Sequence, residues 1–199
     1  MISTNYNTPS PAFCAHRVGE VIIRKLSKGG EYLPSEANVV ELIPRYVPDF
    51  KLIETVADTW ARKKGGHIVS DIYHEACKIA KRTDKDWEYK RIFAITTETV
   101  EKGKKIKKLD PKKIQGLASW VERNGKRNYL SWLQSNPATN HYEKGPHPYA
   151  GVGKKLLMFI RNFGEKPMEF NSAKDAVDFY KKIGCYRPYE NSKYFMYLD

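Results

Sequence analysis

The chain has 199 residues, a length that suits one domain with a full hydrophobic core. With 41% apolar and 13% aromatic residues the composition is globular, and no apolar run approaches the length of a membrane span. The formal net charge of +12 favours an anionic partner, either a phosphate-bearing small ligand or a polyanionic macromolecule, unless it reflects only a lysine-rich proteome.

The cysteines and histidines argue against a disulfide framework and against a metal site. The chain has an odd number of cysteines with no C-x-x-C spacing, and its five histidines are scattered. The first residues lack the charged-then-apolar pattern of a signal peptide. We therefore expect a cytoplasmic protein that binds neither a membrane nor a metal ion.

The N-terminal part of the chain gives few structural signals. Residues 1–37 are predicted to form an arm of uncertain structure, so that the domain proper spans residues 38–199. The apolar run at 38–43 predicts the first strand of that domain.

Two helices are expected next. Asp49 is the predicted N-cap of the first, which carries apolar residues on one face and ends at the glycine pair 65–66. Ser70 is the predicted N-cap of the second, which runs to about residue 82. The β-branched residues of 91–99 then predict a strand.

A lysine-rich segment, residues 102–113 from Lys102 to Lys113, follows that strand and holds seven lysines. We favour a solvated hairpin tip over a nucleic-acid contact for this segment. A hairpin comes next, because the strand patterns 113–122 and 128–134 flank the turn dipeptide Asn124-Gly125.

A glycine loop then leads directly into a helix and organises the rest of the chain. Gly151 and Gly153 precede an apolar stripe of helical period, and the first N–H groups of such a helix have no partner within it. These groups and the helix dipole form a cradle for phosphate. The residues expected at the cradle are Gly151, Val152, Gly153, Lys154 and Lys155.

The last elements are a strand at 168–171, a helix at 172–183 and a strand at 194–198. Ser172 and Asp175 fit a capping box at the start of that helix. The end of this helix has the sequence pattern A-x-x-F-Y-x-x-x-G-C, which begins at Ala176 and ends at Cys185.

Hairpin, glycine loop with helix, strand, and a helix with this closing pattern together resemble the GNAT (Gcn5-related N-acetyltransferase) superfamily of acyl-CoA N-acyltransferases. The resemblance implies an α+β fold, an α/β/α sandwich around a mixed, mostly antiparallel sheet. In that family the fourth and fifth strands, here 129–135 and 168–171, splay apart.

The resemblance also implies an activity, the transfer of an acetyl group from acetyl-CoA to a primary amine while both substrates are bound. The cradle residues would hold the pyrophosphate, and backbone near the splay would hold the pantetheine arm and polarise the thioester. Tyr180 would protonate the departing thiolate, and Asn171 would bond the pantetheine or cap a helix. The residues at the splay are Leu133, Gln134 and Ser135.

Three points stay open in the sequence. Pro148 stands where the family has Arg or Gln, which removes one side-chain donor. The sequence does not identify the acceptor substrate, and a small amine, a protein amino group or an aminoacyl-tRNA would each suit the chemistry. Four residues are candidate general bases, each of which could equally be an exposed surface residue: Glu122, His141, Glu143 and His147.

The alternative function is a non-catalytic nucleic-acid-binding or interaction protein with a vestigial GNAT fold. In that case residues 102–113 would contact tRNA or another polyanion, and the loss of Arg or Gln at Pro148 would reflect lost catalysis. The oligomeric state, monomer or homodimer, is left open.

Overall fold

The computed structural model describes residues 14–124, 126–139, 146–188 and 194–199. In this part of the chain eight strands form a mixed sheet. They are β1 (His16–Leu26), β2 (Tyr32–Leu42), β3 (Lys90–Thr96), β4 (Ile114–Val121), β5 (Asn128–Ser135), β6 (Tyr149–Ala150), β7 (Met168–Asn171) and β8 (Phe195–Leu198). The order across the sheet is β6-β1-β2-β3-β4-β5-β7-β8.

The strands pair antiparallel except at one place, where β5 and β7 run parallel. The described residues form four α-helices on the two faces of the sheet: α1 (Val47–Ala61), α2 (Ile68–Lys81), α3 (Val152–Phe163) and α4 (Val177–Lys182). The helices α1 and α2 pack with one cluster of buried residues, and α3 and α4 with the other. The predicted α+β class, an α/β/α sandwich with a mostly antiparallel sheet, is confirmed.

The N-terminal region is part of the sheet. Strand β1 pairs with β2 from His16 opposite Glu41 to Leu26 opposite Tyr32, with one irregularity near Gly19. The boundary that the sequence suggested between residues 37 and 38 therefore falls in the middle of β2. Residues 16–37 are a hairpin that extends the sheet, whereas nothing is described for residues 1–13.

The N-cap residues of α1 and α2 differ from those that the sequence predicted. Tyr46 is the N-cap of α1, while Asp49 lies inside the first turn, 3% exposed, and its Oδ2 accepts the N–H of Ile43 at 2.9 Å. His67 rather than Ser70 is the N-cap of α2. Asp49 is drawn inward because its carboxylate holds the end of β2 against α1, and it does not bond the free N–H groups of its own helix.

The last predicted helix is shorter than expected. A 3₁₀ turn, Lys174–Ala176, precedes α4, and Ser172 does not act as its cap. The Ser172 N–H donates to the Tyr194 carbonyl and its hydroxyl to the Ala173 carbonyl, both at 2.7 Å. Because the Ser172 backbone is still hydrogen-bonded to Tyr194, the helix cannot begin at Ser172.

Within the described residues, no helix is both long and apolar enough to span a membrane. The lysine-rich segment connects β3 to β4, with all seven lysines exposed. Ile106 and Leu109 are 9% and 4% exposed, so these two side chains anchor the segment to the cluster beneath α1 and α2.

Candidate functional site

Strands β5 and β7 separate after a short parallel contact. They are paired only from Asn128 opposite Met168 to Leu130 opposite Phe170. At this point β5 has a bulge against β4, since Trp120 faces Leu130 but the preceding Ser119 faces Trp132. A bulge bends and twists the strand that carries the extra residue, here Ser131. The result is the splayed pair that the sequence predicted.

Two of the three residues predicted at the splay direct their backbone into the gap. The Asn136 N–H donates to the Gln115 carbonyl at 2.8 Å, and Gln134 lies opposite Leu117 in the same register. Hydrogen-bonded and non-hydrogen-bonded pairs alternate along an antiparallel ladder. The backbone N–H and carbonyl of Gln134 are therefore hydrogen-bonded to β4, whereas the backbone N–H and carbonyl groups of Leu133 and Ser135 point away from β4.

The Gln134 side chain leaves one polar atom unsatisfied. This side chain is 7% exposed, and its Nε2 donates to the Ser135 carbonyl at 2.7 Å. Its Oε1 is buried without a hydrogen-bond partner among the described residues.

The glycine loop ends in a left-handed residue. Gly151 has a φ of +79° and open space where a Cβ would stand. The Lys155 N–H donates to the Gly151 carbonyl at 3.0 Å and is the first to enter the helical ladder. Three N–H groups remain at the start of α3, those of Val152, Gly153 and Lys154, whereas the Lys155 N–H that was also expected at the cradle is used within the helix.

The second glycine brings α3 close to β5. A Cβ on Gly153 would lie 3.0 Å from the Ser135 Oγ and 3.7 Å from the Phe179 ring. On β4, a Cβ on Gly116 would lie 2.9 Å from the Val152 side chain. These two contacts fix the N-terminus of α3 against the widening end of β5.

Pro148 holds the loop to the sheet edge. Its carbonyl accepts the Leu26 N–H at 3.0 Å, and the next two residues pair with β1 as the short strand β6. The residue that replaces the expected Arg or Gln thus serves the loop through its backbone.

A cleft of about 290 Å³ extends from the glycine loop into the gap. Gly151 and Lys154 line one end, Leu133 and Ser135 one wall, and Tyr180 the other. A second cavity, of about 310 Å³, lies toward α2 and shares several lining residues with the first. The shared residues include His67, Ile68, Leu133 and Tyr180.

Tyr180 is buried where the two cavities meet. It is 8% exposed, and its ring packs against Phe170 at 4.5 Å and Phe179 at 5.0 Å between centroids. Burial raises the pKa of the phenol above its ordinary value, and the neighbouring Cys185 adds to this. Burial also raises the pKa of the Cys185 thiol to about 11. Both groups therefore keep their protons near neutral pH.

The remaining predicted residues lie outside the first cleft. Asn171 is exposed and lines the second cavity, and its Nδ2 donates to the Tyr129 hydroxyl at 3.3 Å. Glu122 lines a different cavity beside Lys90. The His147 carbonyl accepts the Tyr32 hydroxyl at 2.9 Å, away from the cleft. The other two candidate bases, His141 and Glu143, lie outside the described residues.

Sequence reasoning missed two residues of α2. His67, the exposed N-cap of that helix, lines both cavities, and Asp71, one turn later, lines the second. Neither belongs to a motif around the glycine loop. The one local signal is that His67 follows the glycine pair 65–66, where a new helix begins.

Comparisons with known proteins gave structural matches only. No protein-family model matches the chain, and no curated protein matches it significantly. A GNAT-family acetyltransferase structure from Desulfovibrio desulfuricans is similar at 9% identity and a TM-score of 0.45, over 91% of this chain and 99% of that one. Tetrahymena GCN5 is similar at 11% identity and a TM-score of 0.45, over 89% and 95%. A phenylalanine variant of the AtaT toxin, bound to the AtaR antitoxin C-terminus and acetyl-CoA, is similar at 13% identity and a TM-score of 0.41, over 67% and 78%.

Proposed function

We propose that this protein is an acetyl-CoA-dependent N-acetyltransferase that acts on a primary amine by direct transfer between two bound substrates. The observation that carries the proposal is the continuous cleft. It begins at the three N–H groups that start α3, passes the unpaired edge of β5 and reaches the buried Tyr180 phenol.

The cleft offers acetyl-CoA a suitable group at each point. The N–H groups of Val152, Gly153 and Lys154 suit the pyrophosphate, with the charge of the Lys154 side chain nearby. The backbone of Leu133 and the N–H of Ser135, which point away from β4, suit the amides of the pantetheine arm.

The reaction needs three contributions from the chain. Holding amine and thioester together in the gap supplies proximity. A backbone N–H on the open edge of β5 stabilises the oxyanion that forms when the amine attacks the carbonyl carbon. As the C–S bond breaks, the Tyr180 phenol gives its proton to the thiolate sulfur. The raised thiol pKa of Cys185 disfavours a covalent acyl-enzyme, which supports direct transfer.

The first prediction tests donor binding through the melting temperature. Acetyl-CoA at millimolar concentration should raise it, because a ligand bound only by the native state stabilises that state by mass action. Gly151→Asp should abolish the rise, since it places a carboxylate against the pyrophosphate. Gly151→Asn should keep part of it, because Asn tolerates a left-handed φ as Asp does and differs mainly in charge.

Gly103→Asp is the matched control. Gly103 has a φ of +77° and open space around it, so the backbone strain is the same as at Gly151 but the site is not the cleft. That variant should respond to acetyl-CoA as wild type does. A wild-type protein that gives no shift with acetyl-CoA or longer acyl-CoAs would exclude the enzyme and favour the nucleic-acid-binding alternative.

A further inference from the structure

The second cavity differs in chemistry from the donor cleft. Its lining combines apolar side chains with the polar groups of Ser131, Asn171 and Ser172, and among the described residues that line it the ionisable side chains are His67, Asp71 and Tyr180, with no lysine or arginine. This is notable in a chain with a net charge of +12. The apolar lining residues are Ile68, Leu130, Trp132, Leu133, Phe170, Ala173 and Ala176.

Asp71 is positioned to bind a cation. It lies in the first turn of α2, is partly buried, and forms no ion pair with any residue that the structure describes. His67 precedes it by four residues, which places both side chains on one face of the helix. An anionic group between apolar walls attracts a cation more strongly than the same group in water.

We infer that this cavity selects small, apolar primary amines, with Asp71 binding the ammonium group and His67 removing its proton. This inference rests on the proposed acetyl transfer. A volume of about 310 Å³ is at the lower end of the range for small-molecule sites, so the acceptor has a compact body. A phosphate attached to the acceptor would meet the Asp71 carboxylate with no lysine or arginine of the described lining to offset it.

The protons balance along this route. The ammonium group loses one proton to His67, which passes it to solvent, and the neutral nitrogen then attacks the thioester carbon. When the C–S bond breaks, Tyr180 protonates the thiolate. The nitrogen loses its second proton, which restores the phenol through solvent. The products are the N-acetylated amine and free coenzyme A, and one proton is released overall.

The second prediction is a pattern of acceptor kinetics. Wild type should acetylate 2-phenylethylamine and hexylamine with kcat/KM at least about tenfold above that for spermidine or phosphoethanolamine. Asp71→Asn should raise the KM for 2-phenylethylamine about 10- to 100-fold, the usual loss for a hydrogen bond to a charged group, while kcat changes by less than about threefold. Asp58→Asn is the control, an exposed aspartate on α1.

His67 has its own readout. His67→Gln should lower kcat for 2-phenylethylamine by about 10²-fold, the low end for general base catalysis. The loss should shrink to less than about fivefold for 2,2,2-trifluoroethylamine, a weakly basic amine that arrives largely unprotonated. A merely structural defect would lower both rates equally. His74→Gln, on the exposed part of α2, is the control.

These outcomes separate the inference from the function on which it rests. No acetyl-CoA binding would overturn the proposed function. Acetyl-CoA binding without acetylation of small apolar amines, or with a preference for phosphoethanolamine or an aminoacyl-tRNA, would overturn the inference alone. So would Asp71→Asn or His67→Gln kinetics equal to those of the controls. The wild-type panel needs no variant, so misfolding cannot mask its result.

Discussion

At the scale of single residues, burial determines whether the Tyr180 hydroxyl can donate a proton or accept one. The phenol is 8% exposed, and burial holds its pKa above the ordinary value. It is therefore protonated at every pH at which the protein would work, and it can act as an acid but not as a base. Removing its hydroxyl tests this role directly.

The third prediction is that Tyr180→Phe lowers kcat by about 10²- to 10⁴-fold, the usual contribution of general acid catalysis. Phenylalanine keeps the ring contacts with Phe170 and Phe179, so the melting temperature and the acetyl-CoA affinity should hardly change. Steady-state kinetics with a thermal-shift measurement check both parts. Tyr194→Phe, on an exposed tyrosine, is the control.

The pH profile adds a second check on the same residue. Because the Tyr180 pKa lies above 10, wild-type kcat should show no descending limb from this group up to about pH 10. A Phe variant within about threefold of wild type would assign Tyr180 to packing and leave solvent as the proton source.

At the scale of elements, the start of α1 carries a buried charge. Asp49 is 3% exposed, and burial raises its pKa to about 6, although hydrogen bonds from the backbone of Ile43 and Ala15 partly oppose the shift. The folded protein thus binds the Asp49 proton more tightly than the unfolded chain. This stabilisation is complete below about pH 4 and is lost as the pH rises through 6.

The fourth prediction follows from that sign. Asp49→Asn keeps an acceptor for the Ile43 N–H but cannot ionise. Between pH 4 and pH 7, its free energy of unfolding should therefore rise relative to wild type by on the order of 3 kcal/mol. Urea unfolding at both pH values measures the difference. Asp58→Asn, on the exposed side of α1, should show no such trend, and a flat difference for Asp49→Asn would contradict the buried carboxylate.

Elements with a strong local signal could be predicted from the sequence, and those decided by distant contacts could not. The strand at 168–171 and the helix after Gly151 follow from periodicity and glycine placement. The segment of strand β1 could be read as helix or strand because its sequence shows no clear alternation, and pairing with β2 and β6 defines it. Local sequence alone predicts Asp49 as an N-cap. Its inward position depends on contact with the end of β2, which exists only in the folded chain.

The candidate site divides in the same way. The glycine loop at Gly151 is built from residues adjacent in sequence, so a motif can point to it, whereas the splay at Leu133 lies between β5 and β7 and was expected from the family resemblance. His67 and Asp71 reach the gap only because α2 packs across the sheet, far from the glycine loop in sequence. No spacing rule along one chain predicts such a juxtaposition.

At the scale of the whole molecule, the lysine-rich segment contributes no residue to the described lining of either candidate cavity. The lysine-rich segment 102–113 is exposed between β3 and β4, and its Lys104 is ion-paired with Glu101. The second cavity has no lysine or arginine among its described lining residues. We therefore expect a polyanion to respond to the overall charge of the protein rather than to the second cavity.

The fifth prediction compares two sets of four Lys→Gln substitutions, each of which removes four positive charges. One set lies in the segment, at Lys104, Lys105, Lys107 and Lys108, and the other lies on exposed positions elsewhere, at Lys28, Lys64, Lys81 and Lys85. Attraction of tRNA to overall charge predicts that both sets reduce the log–log salt slope of tRNA binding equally. Neither should change kcat/KM for a small amine by more than about twofold. A slope that falls by about 3 in the segment set alone would show that these lysines contact phosphates, since each phosphate contact contributes about 0.7 to 0.9 to the slope.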